Sequence, residues 1–173
     1  MKNLFSFVLT ATVAMFSLSA SADTVLKIGH VHFCCPKCET AINKAVTKLG
    51  ASYAIEDKPA ANFPQKAYCT VVITAKDDAT AKKAAAALVD AGFYGEGCEV
   101  PAAASATKAS SVTVTGAHFC CGKCVKSFEL ALKDLNVKQN AEPGSKEVKI
   151  EGNVSPKEVQ DAILKFGYGG TVK

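Results

Sequence analysis

Strand-like and helix-like apolar patterns follow one another along this chain, and the succession occurs twice. TVLKIGH (24–30) and SVTVTGAH (111–118) are rich in β-branched residues and alternate apolar with polar, the period of a half-buried strand. Each is followed by apolar residues spaced for one face of a helix. These are Ile42, Ala45, Val46 and Leu49 in the first case, and Phe128, Ala131, Leu132 and Leu135 in the second. AYCTVVITA (67–75) and KEVKIEG (146–152) then read as strands, and each precedes a second helical segment. One such segment starts after Thr80, with Ala84, Leu88 and Ala91 inward. The other starts at Ser155, with Val159, Ile163 and Phe166 inward. Ser155-Pro156-Lys157-Glu158 supplies an N-cap, a proline at the first helical position and a capping-box glutamate. The turns GFYGEG (92–97) and GYGG (167–170) close the halves, each before a final short strand.

The order in each half is β-α-β-β-α-β, so the expected class is α+β: two ferredoxin-like sandwiches in tandem. The domains are expected at 23–100 and 111–173. Residues 101–110 are small and polar without apolar period, and read as a flexible tether. The first half is longer around EDKPAANFPQKA, between its second and third strands. A strand order of 4-1-3-2 would gather the strand-one exit, the strand 2–3 hairpin and the turns around Phe93, Tyr94 and Tyr168 at one end. Residues 1–22 carry a lysine, an apolar run from Leu4 to Leu18, and Ala20 and Ala22 before Asp23. That layout predicts a secretory signal peptide and export to a periplasmic or extracellular compartment.

Composition narrows the function. Every basic residue is lysine, so the arginine forks that read bases and phosphates are absent, and no basic cluster stands out. Nucleic acid is not expected as a partner. Both methionines fall within residues 1–22, so no thioether ligand remains beyond them.

The informative residues are the cysteines. HFCCPKC (32–38) and HFCCGKC (118–124) hold six of the eight. Cysteines that staple distant loops would be dispersed rather than bunched. In each cluster the last cysteine falls in the first turn of the predicted helix, where unpaired N–H groups and the helix dipole favour thiolate. The candidate ligands are Cys34, Cys35, Cys38, Cys120, Cys121 and Cys124, with His32, His118, Cys69 and Cys98 as auxiliary candidates. A thiolate pair of low coordination suits Cu(I), and a fuller set suits tetrahedral Zn(II). Phe33 and Phe119 are expected as core plugs beneath the loops. A Cys69–Cys98 disulfide is disfavoured. Strands three and four would lie two spacings apart, about 9–10 Å, beyond the roughly 7 Å limit between bridged Cα atoms.

Cys35-Pro36-Lys37-Cys38 with ETAINKAVTKL, and Cys121-Gly122-Lys123-Cys124 with VKSFELALKDL, resemble the heavy-metal-associated domain family. That family includes copper chaperones, periplasmic mercury-binding proteins and the N-terminal modules of metal-pumping ATPases. The resemblance spans nearly all of 23–173, twice. It implies Cys35/Cys38 and Cys121/Cys124 as metal pairs for Cu(I), Zn(II), Cd(II) or Hg(II). The chain departs from the family where Phe33 and Phe119 stand in place of the usual methionine, and where Cys34 and Cys120 precede each pair. Each cluster thus offers three thiolates and an imidazole, which opens the choice of metal.

The sequence therefore predicts a non-enzymatic, monomeric, exported protein with one soft-metal site at the mouth of each domain. It would buffer, sequester or hand on the ion, to a membrane transporter or another metal-binding domain. The competing reading is a periplasmic thiol–disulfide oxidoreductase. No acid–base dyad, phosphate loop or Ser–His arrangement is visible.

Overall fold

A computed structural model describes residues 23–59, 67–99, 101–102 and 104–173. The expected signal peptide, residues 1–22, lies outside the described residues, as does 60–66 within the long hairpin of the first half. The described chain is α+β, with four helices and two small antiparallel sheets. Its first half runs β1 (Thr24–His32), α1 (Pro36–Thr47), β2 (Ser52–Glu56), β3 (Tyr68–Ala75) and α2 (Asp78–Asp90). Its second runs β4 (Ala109–Thr115), α3 (Gly122–Leu132), β5 (Lys138–Gln139), β6 (Glu147–Val154), α4 (Pro156–Leu164) and β7 (Thr171–Val172). The sheet orders are β1-β3-β2 and β5-β6-β4-β7.

Among the described residues, a fourth strand is present in the second half only. In the first, the stretch after GFYG makes a single bridge, Gly29 to Glu96, whose backbone groups exchange hydrogen bonds of 2.8 and 3.0 Å. Cys98 lies in the turn after that bridge, donating its N–H to Gly95 O at 3.0 Å, and not in a strand. Helix α2 begins earlier than the apolar period suggested. Asp77 caps it by accepting from Thr80 N at 2.6 Å, which satisfies one of its orphan N–H groups. The capping box at Ser155 forms with both of its hydrogen bonds.

A bulge sets the end of β1. Ile28 pairs with Val71 and Val31 with Cys69, so three steps on β1 match two on β3. Residues three apart on a regular strand face opposite sides. The extra residue lets Ile28 and Val31 both enter the core, fully buried. His30 absorbs the turn at φ 59, and Gly116, its counterpart in the second half, sits at φ 82. The left-handed conformation is costly for histidine. Here the ring is held by stacking on Tyr68, with centroids 3.7 Å apart, and by Nε2–H donating to Lys165 O at 3.1 Å.

The apolar residues of both halves form one continuous core that includes Phe93, Phe119 and Tyr168. Phe93 and Tyr168, from the two closing turns, pair across the seam as an antiparallel bridge. Tyr94 N donates to Gly167 O at 3.0 Å, and Gly169 N donates to Gly92 O at 3.0 Å. Glycine makes this approach feasible. A Cβ on Gly167 (φ 74) would overlap His32 N, and one on Gly92 (φ 89) would overlap Gly116 O and His118 N. Described residues of the segment expected as a tether make hydrogen bonds to α4. Gln160 donates to Ala102 O and accepts from Ala104 N, and Lys157 N donates to Ser105 O.

Two substitutions probe this seam. Gly167→Ala combines a strained φ with a backbone overlap and lowers stability by at least about 2 kcal/mol in urea unfolding. Gly122→Pro should do the reverse. Gly122 opens α3 as Pro36 opens α1, and a Cβ there meets nothing within 4 Å. The expected gain, read in the same unfolding experiment, is about 0.4–1 kcal/mol.

Candidate metal centre

Each cysteine cluster occupies the passage from a strand into a helix. Cys35 and Cys121 are the N-cap residues of α1 and α3, both extended, and neither side chain caps its helix. Cys38 and Cys124 follow in the first turn, donating their N–H groups to Cys35 O and Cys121 O, each at 3.0 Å. The phenylalanines anchor the loops. Phe33 N donates to Ala67 O at 2.9 Å, and Phe119 packs edge-on against Phe128 at 4.9 Å. Both rings are buried, as the core-plug expectation required.

The two clusters are not separate. They face each other across the seam and interleave, in place of the two independent sites expected at the mouths of two domains. Cys34 Sγ lies 3.2 Å from Cys124 Sγ and 3.6 Å from Cys121 Sγ. Cys120 Sγ lies 3.2 Å from Cys35 Sγ and 3.7 Å from Cys38 Sγ. Within the motifs, Cys34 to Cys38 is 3.8 Å and Cys120 to Cys124 is 3.5 Å. All six thiols are free. The cause lies in the packing. The closing turn of each half sits against the strand exit of the other, so burying the shared apolar seam also brings the cysteine loops together.

Both expected histidines reach the sulfurs, each held by an aromatic ring of the opposite half. His32 stacks on Tyr168 with centroids 4.5 Å apart, and His118 stacks on Phe93 at 4.4 Å. Tyr168 also sets the tautomer of His32. Its hydroxyl donates to Cys124 O at 2.7 Å and lies 3.2 Å from His32 Nε2. A hydroxyl has one proton, so towards His32 it accepts, and Nε2 carries the hydrogen. Nδ1 is then the free ring nitrogen, buried without a hydrogen-bond partner, and His32 falls in one group with Cys34, Cys38 and Cys124. Such an outer hydrogen bond fixes tautomer and orientation in metal-ligating histidines. His118 Nε2 is likewise buried without a partner, beside Cys38, Cys120 and Cys124.

Charge is shared unevenly among the thiols. Hydrogen bonds from Cys120, Cys124 and Cys34 hold Cys38 far below the usual thiol range. Those from Cys120 and Cys34 lower Cys124. Their donors are held protonated: Cys34 is raised mainly by Cys120 and Cys124, and Cys120 mainly by Cys124. Burial raises Cys35. Four groups of sulfur and nitrogen atoms lie within 4.8 Å of one another, a span that can hold a metal ion.

Cys69 and Cys98 belong to none of these groups. Cys69 is a buried strand residue opposite Val31, its thiol pushed up to about 12 chiefly by burial. Cys98 is raised for the same reason. Both are free; because Cys98 lies in a turn and not in a fourth strand, the strand-spacing argument does not apply to it. A surface groove lined by Leu26, Lys82 and Thr171 among others contains no cluster residue. Two contributors escaped sequence reading. One is Tyr168 as partner of His32, and the other is His30 as a brace to the second half. Pairing of residues so distant in the chain leaves no local signal.

No protein-family model, curated protein or solved structure matches the chain. Geometry and donor chemistry therefore carry the functional reading.

Tyr168→Phe keeps the ring and removes the hydroxyl, leaving His32 Nε2–H without that partner in the interior and Cys124 O with one acceptor contact fewer. The expected loss is about 1–3 kcal/mol in chemical unfolding of the reduced, metal-free protein.

Proposed function

We propose that this protein is an exported carrier or buffer for a soft metal ion, built from two ferredoxin-like units of heavy-metal-associated type. The ion is held by the thiolates that the units share. One observation carries the reading: six cysteine sulfurs from two distant motifs converge, with neighbours 3.2–4.0 Å apart. In a tetrahedral site with metal–sulfur bonds of about 2.3 Å, ligand sulfurs stand about 3.8 Å apart. Little movement is needed to receive an ion. The donor set is soft, sulfur with imidazole, and suits Cu(I), Zn(II), Cd(II) or Hg(II) over hard oxygen-seeking cations.

The exposure pattern supports a role in transfer. Cys34, Cys38 and Cys124 are buried, whereas Cys35, Cys120 and Cys121 are half-exposed. An acceptor thiolate from a membrane transporter or another metal-binding domain would engage the half-exposed sulfurs first. The ion would then pass by stepwise ligand exchange, each donor sulfur replaced by one of the acceptor's. This is binding and delivery, without catalysis. Thiol–disulfide exchange is the competing reading, since sulfurs 3.2 Å apart need only a short approach to the 2.03–2.05 Å bond.

Anaerobic titration of the reduced chain with Cu(I), Zn(II), Cd(II) and Hg(II) against a competing chelator tests the proposal. At least one ion should be retained per chain. Cys34→Ser combined with Cys120→Ser should weaken retention by more than the 10–100-fold typical of outer-shell losses. A clean two-electron couple with no metal affinity would establish the exchange reading instead. Export is tested by sequencing the amino terminus of protein from the exported fraction, where Asp23 is expected first.

A further inference from the structure

The four ligand groups overlap. Cys34, Cys38, Cys120 and Cys124 recur through all of them, three at a time, and every pair of these four lies within 4.8 Å. Joined pair by pair, they define the corners of a sulfur tetrahedron, regular or flattened. Each of its four faces is capped by one further ligand. Cys35 caps the face of Cys34, Cys38 and Cys120; Cys121 caps that of Cys34, Cys120 and Cys124. His32 caps the face of Cys34, Cys38 and Cys124; His118 caps that of Cys38, Cys120 and Cys124. Exchanging each residue with its counterpart in the other half maps the set onto itself. The repeats together thus build one object with an approximate twofold axis.

From this arrangement we propose that the protein binds a four-ion Cu(I)–thiolate cluster, one ion on each face of the tetrahedron, with the two halves supplying equal shares. The proposal rests on the reading of the sulfurs as soft-metal ligands and adds nuclearity and oxidation state to it. Each ion would have three corner sulfurs and one cap. Each corner sulfur borders three faces, and a thiolate has three lone pairs beyond its carbon bond, so donors and acceptors balance without an outside ligand. The cysteines that the family resemblance leaves unexplained, Cys34 and Cys120, are corners of this framework, whereas Cys35 and Cys121 are caps.

Charge selects the monovalent ion. Six thiolates with four Cu(I) leave a residual charge of about −2, facing the N-termini of α1 and α3, each equivalent to roughly half a positive charge. Four divalent ions would leave a residual charge of about +2 against the same two positive helix ends, an arrangement that burial penalises. Buried, unpartnered nitrogen atoms on His32 and His118 complete the two faces that lack a third cysteine from either motif.

The test is anaerobic loading of the reduced chain with Cu(I) held by a weak chelator. Native mass spectrometry reads the stoichiometry, and copper K-edge absorption reads copper–copper scattering. The expected result is four copper ions per chain, with a copper–copper vector and both sulfur and nitrogen ligands. Cys35→Ser with Cys121→Ser removes only the half-exposed caps and should lower the stoichiometry from four to two. Far-ultraviolet circular dichroism of the variant verifies that it folds. Saturation of the wild-type chain at one, two or three ions, or absence of copper–copper scattering, overturns the cluster and leaves soft-metal binding intact. A folded double variant that still takes four overturns the assignment of the caps. Failure to retain any copper, zinc, cadmium or mercury overturns metal binding itself.

Discussion

Like charges brought together inside a protein repel, and this constraint governs the centre of the molecule. Two thiolates about 4 Å apart repel by about 4 kcal/mol at an effective dielectric of 20. A few such pairs would exceed the roughly 5–15 kcal/mol that holds a typical domain folded. Six ionised sulfurs therefore cannot coexist in this seam without compensating cations. In the metal-free protein the compensation is protons. Hydrogen bonding among the thiols raises Cys34 and Cys120 and lowers Cys38 and Cys124, the last two in the first turns of α1 and α3. Metal ions and protons thus compete for the same lone pairs, and metal binding must release protons.

What pushes the sulfurs together is the apolar surface around them. The core runs unbroken through both halves, with Phe93, Phe119 and Tyr168 at the crossing. Neither half completes its own end. The turn that closes one half covers the strand exit of the other, and the glycines at Gly92 and Gly167 leave room for that contact. Burial of aromatic side chains is worth about 1.5–3 kcal/mol each. It can therefore offset the cost of collecting polarisable, partly charged sulfurs nearby. The linker reinforces the arrangement, because its hydrogen bonds to Gln160 and Lys157 fix the approach of the second half.

Much of this was readable in the chain. The periods of Ile42 and Val46, of Phe128 and Leu132, and of Val159 and Ile163 mark helices whose buried faces they form. The motif spacing placed Cys38 and Cys124 in first helical turns, where they lie. That the described residues Gly97, Cys98 and Glu99 form no strand was not readable, since whether such a stretch pairs is a tertiary outcome. Nor was the bulge at His30, because a histidine gives no signal for positive φ as glycine does at Gly116. The largest miss was the meeting of the two clusters. Repeats linked by small polar residues look like independent beads, and nothing local encodes which end of one faces which end of the other. The nearest hint was the pairing of each histidine-cysteine motif with a distant aromatic, glycine-rich turn, which is the pattern of a mutual cover.

The duplication is not a symmetric one, and the differences have a direction. His32 and Cys34 are fully buried, whereas their counterparts His118 and Cys120 are partly exposed. His32 is also held in one tautomer by the Tyr168 hydroxyl, while His118 rests on Phe93, which offers no hydrogen bond. Each half nevertheless contributes to both the dry and the wet side of the centre: Cys34 and Cys38 of the first and Cys124 of the second are buried, whereas Cys35 of the first and Cys120 and Cys121 of the second are half-exposed. A ligand sulfur in the dry side exchanges slowly, because any incoming group must displace packed core. One at the wet side can be approached and replaced. An ion reaching this centre from solution meets Cys35, Cys120 and Cys121 before it meets Cys34, Cys38 or Cys124, and it must leave by the same face. In the proposed carrier, holding would fall to the buried sulfurs and release to the half-exposed ones of the same cluster.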